Sequence, residues 1–366
     1  MKVLLTGGGT GGHVNPALAI GSVIESHDET AVIEYVGTPR GIENKLVKKY
    51  PIHHIEIQGL RRSFSFSNIK TAYLTVTSFR KSKALLKKLK PDLVVGTGGY
   101  VCWPVIRAAA SLGIPTALHE SNAVPGLAAK MLCKKVDCIF VNFPDTAQLL
   151  PGCKDVLHVG TPLRTEFKEK TKVEISLPKG CEHYILCFGG SLGAARLNSE
   201  VLQLMKEYGT THPNVCIQLA TGSRAYPVVK QTFEEMGLGK YPNLILSEYI
   251  YDMPKRMMGS DLLICRSGAM TLSEIAACEK PSILIPSPNV TNDQQTKNAK
   301  VLSDKGAAVL LTEKDLTQGV LCEKVRYLME NEDQRIKMER AVSAFAVRDA
   351  DEKIWKKLSI LVKEKQ

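Results

Sequence analysis

Lys2-Val-Leu-Leu-Thr-Gly7-Gly-Gly-Thr-Gly-Gly12-His13 and, about 180 residues on, Tyr184-Ile-Leu-Cys-Phe-Gly189-Gly-Ser-Leu-Gly-Ala194 decide the fold. Each is a short apolar run of strand length that passes directly into glycines. Glycines after a strand let backbone N–H groups approach a phosphate, and the N-terminus of a following helix adds a favourable potential. Alone, the pattern suits several nucleotide folds. A dinucleotide site also needs an acid at the end of the second strand. Here that strand closes on Tyr35-Val-Gly-Thr38 with Glu34 inside it, so the dinucleotide reading loses ground.

Working outward, strand-like runs at residues 2–6, 31–36, 93–95, 116–119 and 138–141 enclose helix-spaced stretches at 15–26, 42–49, 104–112 and 127–134. That is βαβ order, which predicts a parallel sheet with helices on both faces. The series restarts at 184–188 and continues through 215–220, 244–246, 261–265, 282–285 and 307–311. Two such openings in one chain predict two α/β domains in tandem, alike in architecture rather than in sequence. The 366 residues suit two domains of roughly 150–200 each. Gly160-Thr-Pro-Leu-Arg164 interrupts the pattern and marks the expected boundary. Residues 349–366 read as an amphipathic helix with Ile354, Trp355, Leu358 and Leu361 on its apolar side.

Composition is that of a globular protein, 44% hydrophobic and 23% charged. The longest apolar runs are strand-sized, so no bilayer-spanning segment is expected, and no signal-peptide core precedes the first strand. Ten cysteines without a Cys-x-x-Cys pair predict reduced, packed thiols. The net charge of +11 is concentrated: residues 57–91 hold nine Lys or Arg and no acid. Phe64, Phe66, Ile69, Tyr73 and Leu74 are interleaved there, a mixture that suits an anionic membrane surface. Part of it, residues 81–90, equally fits a helix with a solvated lysine face.

His13 stands where the first glycine loop becomes a helix. A helix N-terminus disfavours imidazolium, and a neutral ring is what a base removing a hydroxyl proton requires; the same ring could instead cap the loop. Gly96-Thr-Gly-Gly-Tyr100 gives the first half a second glycine loop, and His119-Glu-Ser-Asn122 ends another strand with polar groups. Ligands of open α/β sheets bind at that carboxyl edge. In the second half, Ser191 joins the backbone donors of its glycine loop, which suits a phosphate. Arg266-Ser-Gly-Ala-Met-Thr-Leu-Ser-Glu274 opens a helix in which Glu274 could accept both hydroxyls of a ribose or lie solvated. Asn292-Asp-Gln-Gln-Thr-Lys-Asn298 offers paired amides suited to sugar hydroxyls, although such amides are also common at helix starts. No Asp-x-Asp metal motif occurs.

In this order, residues 7–13 with Pro16, Gly98-Gly-Tyr100, 119–126, 160–164, 189–198, 266–274 and 294–298 closely resemble the MurG-type N-acetylglucosaminyltransferases of peptidoglycan synthesis, over essentially the whole chain. Thr97, Ser121 and Met270 depart from the Phe, Gln and Leu usual there. The resemblance implies a GT-B fold: two Rossmann-like domains with parallel sheets facing a cleft. Their expected bounds are 1–160, completed by a C-terminal helix at about 345–366, and 164–344. It implies UDP-GlcNAc as donor, undecaprenyl-diphosphate-linked muramyl pentapeptide as acceptor, no cofactor or metal, and no nucleic-acid partner. In it Ile250 meets the uracil through its backbone, Glu274 the ribose, Ser191 and Arg164 the diphosphate, and Gln294 and Gln295 the sugar. Ala269, Met270, Thr271, Leu272 and Ser273 complete the donor segment, and Thr10, Gly11, Gly12 and Asn122 reach the donor sugar from the other half. Gly9, Gly98, Gly99 and Tyr100 hold the acceptor beside His13, the implied base. Phe64, Phe66, Ile69, Lys70, Tyr73 and Arg80 would dock the chain on the cytoplasmic face of the cell membrane. Association with other cell-wall synthesis proteins, and a place in cell shape and division, are implied in the same way. A fold-sharing UDP-GlcNAc epimerase or diacylglycerol glycosyltransferase, and a non-catalytic nucleotide-sugar scaffold, remain the rival readings.

Overall fold

The computed structural model describes residues 1–58, 67–168, 173–190 and 193–365, with the backbone alone for 67–73. The chain divides into two compact units, Met1–Arg164 with Val347–Gln366, and Thr165–Ala346.

In the first unit the strands are β1 (Lys2–Thr6), β2 (Val32–Gly37), β3 (Ile52–His54), β4 (Leu93–Gly96), β5 (Thr116–Glu120), β6 (Cys138–Val141) and β7 (Val156–His158). They form one sheet in the order β3-β2-β1-β4-β5-β6-β7, each registered pair parallel. Continuous apolar runs such as Val3-Leu4-Leu5 are what a sheet covered on both faces demands, and all three are buried. The helices are α1 (Gly11–His27), α2 (Glu43–Leu46), α3 (Ser67–Leu89), α4 (Cys102–Ser111) and α5 (Leu127–Leu132). Val14, Ala17, Ile20 and Ile24 of α1 share one core with Val3, Leu5, Val95 and Phe140. On the other face Leu86, Val105, Ile106 and Leu132 pack against Leu4, Val94 and Ile139.

The second unit holds β8 (His183–Phe188), β9 (Val215–Ala220), β10 (Leu244–Ser247), β11 (Leu262–Cys265), β12 (Ser282–Leu284) and β13 (Val309–Leu310). Their order is β10-β9-β8-β11-β12-β13, again parallel. Its helices are α6 (Ala195–Leu204), α7 (Tyr226–Glu235), α8 (Met253–Met258), α9 (Ala269–Cys278), α10 (Gln294–Ser303), α11 (Val320–Glu330) and α12 (Glu332–Ser343). Ile185, Cys187, Leu219 and Ile264 from the strands and Leu197, Val201, Val325 and Leu328 from the helices form its core.

The last helix, α13 (Ala350–Lys363), belongs to the first unit. Ile354, Leu358 and Leu361 complete the core that α1 begins, and Trp355 stacks on His27 at 5.1 Å. Residue 160 must be glycine here, because its φ is +75° and a Cβ would come within 2.6 Å of Val347.

Several boundaries differ from the sequence expectation. The helix expected over 42–49 is the single turn α2, and α1 begins at Gly11, inside the glycine loop. β3 and β7 were not anticipated; three residues at a sheet edge are too few to show alternation. The helix expected within 81–90 is the end of a longer, 23-residue helix, α3.

Candidate functional site

In the first unit the strand order reverses between β1 and β4, which makes their carboxyl ends the expected ligand position. Both glycine loops emerge there and pack backbone to backbone. The Gly8 N–H donates to the Gly98 carbonyl at 3.3 Å. Gly98 and Gly99 have φ of +106° and +81°, and a Cβ on Gly99 would lie 2.2 Å from the Gly8 carbonyl oxygen. No other residue fits. Gly9 lies against the ring of Tyr100, which is partly exposed.

Thr10 is the N-cap of α1, so Gly11, Gly12 and His13 form its first turn. Pro16 has no N–H to send to the Gly12 carbonyl four residues earlier. The His13 ring is half-buried over Gly98. Its Nδ1 lies 3.0 Å from the Gly8 carbonyl and 3.3 Å from Thr10 Oγ1. A carbonyl only accepts, so Nδ1 faces it with its proton, and in the neutral ring the lone pair then lies on Nε2. The Thr97 hydroxyl, where the resembled family has Phe, donates to the His13 carbonyl at 2.6 Å.

Beneath this loop are groups that sequence reasoning missed. The Tyr35 hydroxyl donates to the Gly7 carbonyl at 2.6 Å. Glu43, wholly buried, accepts from the Thr38 N–H and hydroxyl at 2.7 Å each and from the Gly9 N–H at 3.4 Å. Glu43 follows a Thr-Pro-Arg-Gly turn and carries no periodic signal, so nothing local marked it. Glu34, by contrast, is held by Lys2 at 2.8 Å and by His53. Burial raises its carboxyl, and the hydrogen bonds from Lys2 and His53 more than offset that, leaving it below its ordinary range.

At the end of β5, Glu120 organises the next turn by accepting from the N–H and side-chain amide of Asn122 and from the Gly126 N–H at 2.8–3.0 Å. His119 turns inward: Nε2 donates to the Gly160 carbonyl at 2.8 Å and Nδ1 accepts from Ser121 at 3.2 Å. Burial pushes its imidazole down to about 4, outweighing the Gly160 bond. It is therefore a packing group. Arg164 is exposed at the end of this unit.

In the second unit the order reverses between β8 and β11. Gly193, after β8, has φ +82° and leaves no room for a Cβ, which would come 2.1 Å from the Thr221 carbonyl. Ser191 lies outside the described residues. After β11, Arg266 is committed to structure, donating to the Ile285 and Pro286 carbonyls and pairing with Glu313. Gly268 then N-caps α9, placing Ala269, Met270 and Thr271 in its first turn, with Leu272 buried and Ser273 and Glu274 half-buried. Gln294 and Gln295 begin α10. The side-chain oxygen of Gln295 accepts from the Ser287 N–H at 2.8 Å. Asn292 and Asp293 just before it both have φ near +55° (59° and 53°), strain that sequence did not foretell and that clusters at functional sites. Ile250 is buried; Tyr249 and Tyr251 flank it as an exposed edge-to-face pair 5.0 Å apart. A recess of about 560 Å³ between α6 and α7 is lined by Gly193, Asn198, Arg224 and Val228 among others.

Arg80, Lys81, Lys87 and Lys88 are exposed on α3 together with Val76, while Leu86 is buried. Phe64 and Phe66 lie outside the described residues, as do the side chains of Ile69, Lys70 and Tyr73. Among the described residues no helix is long and apolar enough to cross a membrane, and no cluster of His, Cys, Asp or Glu could hold a metal. None of the ten cysteines is in a disulfide; burial raises the thiols of Cys102 and Cys138 to about 12, which makes them inert.

Residues 3–141 match the glycosyltransferase family 28 N-terminal domain and residues 184–354 its C-terminal domain. The chain is 40% identical to the UDP-N-acetylglucosamine–N-acetylmuramyl-(pentapeptide) pyrophosphoryl-undecaprenol N-acetylglucosamine transferase of Bacillus cytotoxicus, with all of both chains covered. The enzyme of the same name from Acetivibrio thermocellus is 35% identical over 100% of this chain and 99% of its own. Among solved structures, Acinetobacter baumannii MurG superposes with a TM-score of 0.78 at 29% identity, covering 98% of this chain and 99% of that one. The UDP-GlcNAc 2-epimerase of Neisseria meningitidis, at 16% identity and a TM-score of 0.64 over 98% and 100%, shares the fold alone.

Proposed function

The chain belongs to glycosyltransferase family 28, and on that premise we propose that it transfers GlcNAc from UDP-GlcNAc to the 4-hydroxyl of undecaprenyl-diphosphate-linked muramyl pentapeptide, the step from lipid I to lipid II in peptidoglycan synthesis. The donor occupies the second unit: Ile250 for the uracil, Glu274 for the ribose, residues 269–273 and Ser191 for the diphosphate side, Gln294 and Gln295 for the sugar. Arg164, Asn122 and the Thr10, Gly11 and Gly12 edge of the first loop complete the donor's contacts. The acceptor diphosphate takes the paired glycine loops around Gly9, Gly98, Gly99 and Tyr100.

The reaction is a single inverting displacement. The acceptor 4-hydroxyl attacks the anomeric carbon while His13 Nε2 takes its proton, and the bond from that carbon to the UDP oxygen breaks. The charge left on UDP falls on backbone N–H donors and Arg164. One observation carries the assignment of the base: the Gly8 carbonyl accepts from the Nδ1 N–H, so that in the neutral ring the lone pair lies on Nε2 beside the glycine loops. The enzyme works as a peripheral protein on the anionic cytoplasmic leaflet, drawn there by the basic face of α3.

The test is UDP release from UDP-GlcNAc with and without lipid-linked acceptor, on the native chain and His13→Ala. Release should require acceptor, whereas an epimerase would turn over the donor alone and a binding scaffold would release nothing. His13→Ala should lose roughly 10²–10⁴-fold in kcat with donor binding intact. Near-normal turnover would remove His13 as the base.

A further inference from the structure

Glu43 is a buried acid that the donor and acceptor assignments leave without a task. Three glycines enclose it: a Cβ on Gly8, Gly37 or Gly41 would come within 3.0, 2.5 and 2.1 Å of its side chain. All its hydrogen-bond partners named above are donors, so it acts as acceptor throughout, as a carboxylate does. Thr38 fixes one carboxylate oxygen by two bonds, which aims the other at the Gly9 N–H. That N–H belongs to the same peptide group as the Gly8 carbonyl, and the Gly8 carbonyl holds His13 Nδ1.

We infer that Glu43 is a positioning residue for His13, acting through the Gly8–Gly9 peptide as a carboxylate–peptide–imidazole relay. The carboxylate holds the peptide plane in one orientation. A peptide whose N–H donates to an anion is also polarised, so its carbonyl becomes a better acceptor. The effect on the ring is to keep the proton on Nδ1 and to favour the charge that develops as Nε2 takes up the acceptor's proton. A carboxylate in direct contact with the ring would do the same. Here the intervening peptide belongs to the loop itself, so loop shape and base tautomer are set together. The Tyr35 hydroxyl on Gly7 and the Thr97 hydroxyl on the His13 carbonyl secure the two ends of the segment, leaving the Gly8–Gly9 plane to Glu43.

The inference rests on the reading of His13 as base, and the experiment separates the two. Glu43→Gln keeps the volume and can still accept from Thr38, but it turns an amide N–H₂ toward the Gly9 N–H, donor against donor. The full-length variant is expected to melt near the native temperature and to keep its KM for UDP-GlcNAc. Its kcat should fall roughly 10- to 100-fold, short of the loss of the base itself. Nitrogen-15 spectra of the His13 ring should change from one tautomer to a mixture. Thr38→Val, which deletes one of the two bonds that aim the carboxylate, should fall between Glu43→Gln and the native enzyme, and it supplies the measurement if Glu43→Gln does not fold. Full kcat in Glu43→Gln beside an inactive His13→Ala overturns the relay and keeps the base. A kcat per folded molecule that is unchanged while stability drops also overturns it, because the role is then structural only. Should His13→Ala itself be active, the ring spectrum decides: an unaltered tautomer overturns the relay, and an altered one upholds the positioning.

Discussion

His119 makes the stability of the first unit depend on pH in a way that can be calculated. Its imidazole titrates at about 4 in the folded chain, against 6.5 for an unperturbed histidine. Between those values the unfolded chain binds a proton that the folded one refuses, so stability rises with pH and is lost as pH falls from about 6.5 towards 4. The full difference of some 2.5 units corresponds to about 3 kcal/mol, of which about 2 kcal/mol is lost between pH 7 and pH 5. Both tryptophans of the chain, Trp103 and Trp355, lie in this unit, so their fluorescence in urea reports its unfolding alone. With a urea dependence of about 2 kcal/mol per molar, the midpoint should drop by about 1 M over that interval. His158, which burial also lowers, adds to the fall, while His27, raised chiefly by its bond to the Val23 carbonyl, opposes it. The decisive comparison is therefore with His119→Gln, whose amide can still donate to the Gly160 carbonyl but cannot titrate. Its pH 7 stability will be lower, yet its midpoint should move about 1 M less than the native one on acidification. Equal movement in both proteins would refute the assignment of the acid sensitivity to this ring.

Two further outcomes test the site and the surface. Glu274→Gln should raise KM for UDP-GlcNAc by about tenfold or more, the worth of charge-assisted hydrogen bonds to ribose, with kcat little changed; an unchanged KM would return Glu274 to a helix-face role. Reversing Arg80 and Lys87 to Glu on the exposed face of α3 should weaken partition onto anionic vesicles by roughly 30-fold or more, at about 1 kcal/mol per lost cation. Turnover of a detergent-solubilised acceptor should remain, and unaltered vesicle binding would dissociate α3 from the membrane.

The parallel sheets were legible because their strands are buried on both faces: Val3-Leu4-Leu5 and Tyr184-Ile-Leu-Cys need no tertiary knowledge to be read as interior strands. The three-residue edges β3 and β7 were not, since an edge held by its neighbour leaves almost no trace in its own composition. The site divides along the same line. Gly98 and Gly99 could be recognised because a positive φ and a close backbone approach exclude every other residue, and that constraint is written in the chain. Glu43 could not, because its importance lies in which peptide it faces: it is 34 residues from Gly9 in sequence and 3.4 Å away in space. His13 stands between these cases. Its place after a glycine loop was readable, but its tautomer is fixed by the Gly8 carbonyl, whose orientation depends on Glu43, Tyr35 and Thr97 brought in from three other segments. Sequence thus identifies the side chain that could take a proton, and only the folded loop decides which of its nitrogens is placed to do so.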